Sequence, residues 1–319
     1  MADPSTTTHA LPAAGAAAGA RLLGAQVTVQ VRTETPLLPK MAFLLISIAS
    51  LLGVLFTGRV HGLEGFALVW RWTAFWSLAL PTGMLAWRLF YLRRREKGLD
   101  PERVAALHDS LLDRVRLLGR YLAPLLVAGA TAPLVVGYLA PSESSFLLLG
   151  GLALAVLVTR AHVSRAAAWA GLALGAGLLG VWSWADSAGS GYLTVVRTAH
   201  LWAFAAWLGG ALFNLGAAVP AGRRHPNLDA VVAGARQLER FRWVVRTSLP
   251  TIVLTGLWMA LRYGGVLSPF WRDGIGLLVP LKLGLIAALV VIFITCPLYR
   301  ACSPVRGVCD LDDLREGGG

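Results

Sequence analysis

The sequence predicts an all-α, polytopic integral membrane protein of about eight transmembrane helices with both termini cytoplasmic. Three observations predict it. Of 319 residues, 56% are hydrophobic and only 14% charged, against roughly 25% charged in soluble domains. The apolar residues gather into runs such as Met41–Thr57, Ser145–Thr159 and Ile275–Thr295, near the ~20 residues that span a bilayer's hydrocarbon. The lysines and arginines fall on alternate loops, the bias that orients membrane helices. The short alternating segments of a membrane barrel do not occur. The net charge of +12 is therefore read as loop bias, and no nucleic-acid partner is expected.

Residues 1–40 form an Ala/Gly/Thr-rich tail without the continuous apolar core of a signal peptide, read as flexible and cytoplasmic. Spans are expected at 41–57, 66–92, 118–140, 145–160 and 166–185 in an N-terminal membrane half, 41–190. Those at 192–219, 243–264 and 275–299 belong to a second region, 191–300. The first and fourth are short for a full crossing. With the N-terminus inside, most of the 29 basic residues lie in cytoplasmic segments, and only Arg59 and Arg272 fall in outer loops. Between the second and third spans, "LDPERVAALHDSLLDRVRLLGR" has Asp100 as an N-cap, Pro101 at the first helical position and Glu102 in the first turn. Its apolar residues recur at helical spacing. An amphipathic helix near 100–118 is expected, on the inner membrane surface or docked on other loops, with His108 solvated. The outer loops are too short for a folded domain, so a periplasmic partner must be a separate chain.

Ionisable residues at membrane depth are costly and face protein, water or ligand. Arg88 and Arg262 lie near span ends and can snorkel; Arg71, Arg197, Arg246 and Lys282 lie deeper. His200 stands about 12 Å below the start of the sixth span, one turn below Arg197, with Phe204 and Trp207 near the same face. His61 and Glu64 occupy the first outer loop, and Asp186 and Asp273 lie on the same side. Imidazole is the common transition-metal and axial haem ligand, so His200 and His61 are the candidate ligands, and Arg197 and Trp207 the candidate neighbours. Gly209 and Gly210 permit close helix approach, and Asn214 can bond across helices. His162 and His225 sit in inner basic loops. Cys296, Cys302 and Cys309 fall at the inner end of the last span and in the C-terminal cytoplasmic tail, 301–319. They are free thiols or a soft metal site completed by another ligand.

Three segments then resemble a known family. "HLWAFAAWLGGALF", "LERFRWVVRTSLPTIVLTGLWMALRYGG" and "GIGLLVPLKLGLIAALVVI" are similar, in order, to three helices of the copper resistance protein D family, over about Val195 to Arg300. The matching residues are His200, Trp207, Gly209, Gly210, Phe241, Thr255, Gly256 and Lys282. The resemblance implies a multi-pass bacterial inner-membrane protein of eight spans, concerned with copper passage or tolerance beside a periplasmic copper carrier. The family tends to place methionines along a path; here only Met84 and Met259 lie well within spans.

The leading expectation is a membrane protein of copper homeostasis that binds or passes copper. One alternative is the membrane anchor of a respiratory or redox complex binding haem b or quinone beside redox protein subunits. Another is a structural subunit without cofactor. No catalytic triad, phosphate loop or paired-carboxylate site stands out, so turnover by this chain alone is not expected.

Overall fold

A computed structural model describes residues 37–137, 139–262 and 275–295. All regular structure among them is helical. The helices are α1 (Leu37–Val60), α2 (Phe66–Ala86), α3 (Pro101–Val136), α4 (Pro141–Arg160), α5 (Arg165–Asp186), α6 (Gly191–Phe213), α7 (Val219–Arg224), α8 (Leu228–Arg262) and α9 (Leu278–Thr295). Two π-helical turns, Trp87–Tyr91 and Asn214–Ala218, continue α2 and α6. A short 3₁₀ turn, Ile275–Leu277, precedes α9.

Six of these segments are long and apolar enough to cross a membrane: Lys40–Val60, Pro101–Val136, Pro141–Arg160, Arg165–Asp186, Gly191–Arg224 and Leu228–Arg262. At most half of each apolar window is buried inside the protein. Large apolar side chains such as Leu149, Val156, Val195, Leu254 and Leu281 stand exposed. In water this surface would drive aggregation; in a bilayer it faces hydrocarbon of its own polarity. The chain is thus a multi-pass helical membrane protein.

α2 is the hub. It packs against α1, α3, α5 and α6, and every residue from Ser77 to Leu85 is buried. Trp70, Arg71, Trp72, Trp76 and Pro81 lower its apolar content. A helix wrapped by protein need not present hydrocarbon on all sides, so low hydropathy is compatible with a central place. Its closest neighbour is α6. A side chain at Gly83 would overlap the Ala205 carbonyl, and one at Gly209 would overlap the Gly83 backbone. The two backbones therefore touch through paired glycines, as small residues allow in membranes. Gly210 makes room for Trp87 and Phe241 in the same way.

Several expectations change. The segment near 100–118 is no separate surface helix, because α3 runs unbroken from Pro101 to Val136. Asp100 caps it as expected, accepting from the Glu102 N–H at 2.9 Å. Its apolar face is buried at Val104, Leu107, Leu111 and Val115, and His108 is buried with them rather than solvated. The stretch 228–242, expected to be a basic loop, is the first part of α8. These two protruding ends are clasped together. Arg103 pairs with Asp229 at 3.1 Å, and Arg240 with the nearly buried Glu96 at 2.5 Å. Pairing lets charged residues occupy helix faces that sequence patterning assigns to loop. The short first and fourth spans prove to be trimmed readings of 24- and 20-residue helices.

The glycine contact is testable. Gly209→Ala should abolish recovery of monodisperse protein in mild detergent or lower its unfolding midpoint strongly, because backbone atoms cannot yield. Gly177→Ala, with open space around it, should leave the midpoint within error. Size-exclusion and thermal-unfolding profiles of the two variants provide the check.

Candidate functional site

The site is built where α1, α2, α5, α6, α8 and α9 converge. Arg71 projects from the buried hub and is itself only 1% exposed. Its Nη2 donates to both oxygens of Asp186, at 2.7 and 2.6 Å. Arg197, one turn above His200 on α6, approaches the same carboxylate at 3.4 Å. Asp186 is the last residue of α5, and the chain turns behind it through left-handed backbone at Ala188 (φ 48°) and Gly189 (φ 75°). One carboxylate thus ties three helices. Buried charges persist only when paired, since the desolvation of each is severe.

His200 lies below this cluster, 9% exposed. Its Nδ1 is 2.9 Å from Thr255 Oγ1 on α8. The Thr255 hydroxyl donates back to the Thr251 carbonyl, so its oxygen accepts the proton on Nδ1. Nε2 then carries the lone pair, open to a proton donor or a soft cation. Gly256 lets the imidazole lie against α8: a Cβ there would sit 3.4 Å from the ring's Cε1. Lys282 reaches in from α9, and its Nζ rests on Gly53 of α1, where a Cβ would come within 2.6 Å. Among the described residues no carboxylate pairs with Lys282.

These groups share a cavity of about 210 Å³ lined by Arg71, Asp186, Arg197, His200, Trp207 and Lys282, with Met259 and many aliphatic side chains completing the wall. A second cavity of about 280 Å³ adjoins it, lined by Ser187, Leu193 and Arg262 and sharing Asp186, Arg197 and Met259. The two form an outer and an inner chamber with the Asp186–Arg197 contact in their common wall. α9 packs on α1, and the inner chamber is walled by residues of α1, α2, α5, α6, α8 and α9.

The structure brings His200, Arg197 and Trp207 together, as expected. It adds Arg71, Asp186 and Lys282, which sequence noted singly without pairing them. His61 is not on the inner chamber wall. It lies in the exposed turn after α1, backed by protein that lowers its pKa by desolvation; Asp186 opposes this shift, and Arg71 and Arg197 reinforce it. Glu64 pairs with Arg59 at 2.7 Å. Asn214 bonds to the Gly210 carbonyl of its own helix at 2.9 Å rather than across helices. Arg246 lies exposed over the Trp243 ring at 5.6 Å. His162 bonds to the Thr159 carbonyl at 2.9 Å. Cys296, Cys302, Cys309, Arg272 and Asp273 lie outside the described residues.

Among the described residues no group of three or more His, Cys, Asp or Glu side chains is arranged to hold a metal. The inner chamber offers one imidazole, one thioether and a carboxylate already engaged by arginine, which does not fit a resident copper centre. One buried imidazole likewise does not supply the two-histidine axial set of a b-type haem. No protein family, curated protein or solved structure matches the chain.

Removing the shared carboxylate should be costly. Asp186→Asn removes the carboxylate that Arg71 and Arg197 share and should destabilise the fold by about 3–5 kcal/mol. Glu64→Gln breaks only an exposed pair and should cost less than about 1 kcal/mol. Thermal or denaturant unfolding in one detergent distinguishes them; equal midpoints for the two variants would remove the triad from its structural role.

Proposed function

We propose that this chain is an eight-crossing protein of the bacterial inner membrane, with both termini cytoplasmic, that takes part in copper homeostasis. α2, wrapped by protein, and α9, an 18-residue helix, would add two crossings to the six above. The basic residues then lie overwhelmingly on the inner side, and the two chambers open toward the outside.

The observation that carries the copper reading is convergence. Five of the residues resembling the copper resistance D family, His200, Trp207, Thr255, Gly256 and Lys282, lie on three separate helices, yet they gather about one imidazole. His200 bonds Thr255, Gly256 admits the ring, and Lys282 and Trp207 line the same chamber. Copper here is cargo. Imidazole Nε2 and the Met259 thioether are ligands suited to Cu(I). Arg197 and Lys282 are the charges that His200 feels most. Their repulsion keeps copper binding weak, and a path must bind weakly enough to let its ion leave. A periplasmic copper carrier would supply or collect the ion at the outer chamber.

A second reading rests on a different observation. The inner chamber is rich in N–H donors, is mostly aliphatic, and is walled by six helices of which α9 is anchored mainly through α1. That suits a lipid-soluble acceptor such as quinone, bound by a membrane anchor of a redox complex. The ammonium of Lys282 would donate to one of its carbonyls, and the lone-pair side of His200 would accept from the hydroxyl of the reduced quinol.

Three variants separate the readings. In proteoliposomes, His200→Ala and Met259→Leu should each lower Cu(I) flux at least tenfold, and unchanged flux and copper stoichiometry in His200→Ala would sink the copper proposal. Lys282→Met should weaken a short-chain quinone about tenfold, near 1.4 kcal/mol, if the second reading holds. Quinone titration monitored by tryptophan quenching reads this directly.

A further inference from the structure

At the opposite end of the bundle from the chambers, the π turn of α2 meets the first turn of α5. We infer that this junction is a binding site for the phosphate of an anionic phospholipid in the inner leaflet. The inference is independent of the copper and quinone readings, and it takes the orientation proposed above.

Arg88 lies in the π turn and is only partly exposed, and its buried Nε has no hydrogen-bond partner among the described residues. Arg165, the first residue of α5, lies within its electrostatic reach. Arg94 follows in the non-helical stretch after the π turn, and both Arg88 and Arg94 act on His108 of α3. No carboxylate among the described residues forms an ion pair with Arg88, Arg94 or Arg165; Asp109 approaches His108 alone, at 3.5 Å. Two other arginines at this end do have carboxylate partners, Arg240 in Glu96 and Arg103 in Asp229. Arg88 and Arg165, like charges on two elements whose neighbouring rings Phe90 and Trp169 touch, repel each other, and an anion between them relieves that repulsion.

The anion's kind is indicated by what lies beside it. Phe90, two residues after Arg88, meets Trp169, one turn after Arg165, edge to face at 5.1 Å. Both rings are exposed on the bundle's outer surface, at 53% and 44%. The junction therefore carries cations and, alongside, an aromatic pair that faces acyl chains. Water-borne phosphate needs only the first of these. A phospholipid uses both: guanidinium forks take its phosphate oxygens, and the rings sit at the depth aromatic residues occupy at membrane interfaces. Basic pockets between helices on the cytoplasmic side bind such headgroups. The π turn contributes geometrically. Its extra residue per turn sets Arg88 and Phe90 outward while Trp87 and Leu89 stay buried.

The test uses the full chain purified in a neutral detergent with phosphatidylglycerol or phosphatidylcholine added. Native mass spectrometry counts retained lipids, and thermal unfolding gives the stabilisation. The wild-type chain should retain phosphatidylglycerol in preference to phosphatidylcholine and be stabilised by it. Arg88→Gln combined with Arg165→Gln should lower that retention at least fivefold. Arg116→Gln combined with Arg120→Gln, which removes two exposed arginines elsewhere on α3, should not. Arg165→Gln alone, at an exposed position, supplies the reading if the double variant does not fold. Equal losses in both pairs of variants would mean general surface charge and overturn the inference. So would displacement of the lipid by millimolar inorganic phosphate, which would mark a free-anion site.

Discussion

The fold depends on one carboxylate. Asp186 is held by Arg71 from the protein-wrapped hub and touched by Arg197 from the helix that carries His200. A buried guanidinium is costly without a carboxylate to pair it. The carboxylate thus sets the relative heights of α2, α5 and α6. The paired glycines on α2 and α6 set their spacing. Height from charge and spacing from small residues together fix where the imidazole stands, and the chambers follow as the space left over.

Much of this arrangement was legible from residues alone, and the misses share a cause. Apolar run length located the membrane helices because lipid-facing surface must be apolar whatever the protein does. Histidine at depth marked the chamber because an unpaired imidazole in hydrocarbon is too costly to keep. Asp100, Pro101 and Glu102 marked the start of α3 because a helix N-terminus leaves donors that only a few residue types satisfy. The partners were not legible. Nothing in one sequence ties Arg71 to Asp186, since the contact spans 115 positions. The helical character of 228–242 and the burial of His108 were hidden for the same reason: pairing with Glu96, Asp229 and neighbouring helices changes what a charged face can do.

The chamber's chemistry is asymmetric. Donors outnumber acceptors, and cations outnumber carboxylates, in a wall that is otherwise aliphatic. Such a wall discriminates more by what it repels than by what it holds. A bare metal ion would be tolerated briefly, a hydrated cation poorly, and a carbonyl or anionic head well. Glycines at 53 and 256 sharpen this, because each brings a polar side chain against helix backbone where a methyl group would stand. The lysine and the imidazole are consequently positioned by neighbouring helices rather than by their own rotamers alone.

The unbroken length of α8 has a mechanical consequence. At 35 residues and about 1.5 Å each it is a rod of roughly 52 Å, well beyond the ~30 Å of hydrocarbon. One end is gripped by Glu96 through Arg240; far along the same rod sits the hydroxyl that steers the imidazole. Pro250 lies between them and deprives the rod of one internal tie. A displacement of the gripped end would reach Thr255 along one continuous helix, with Pro250 as the place where it could bend.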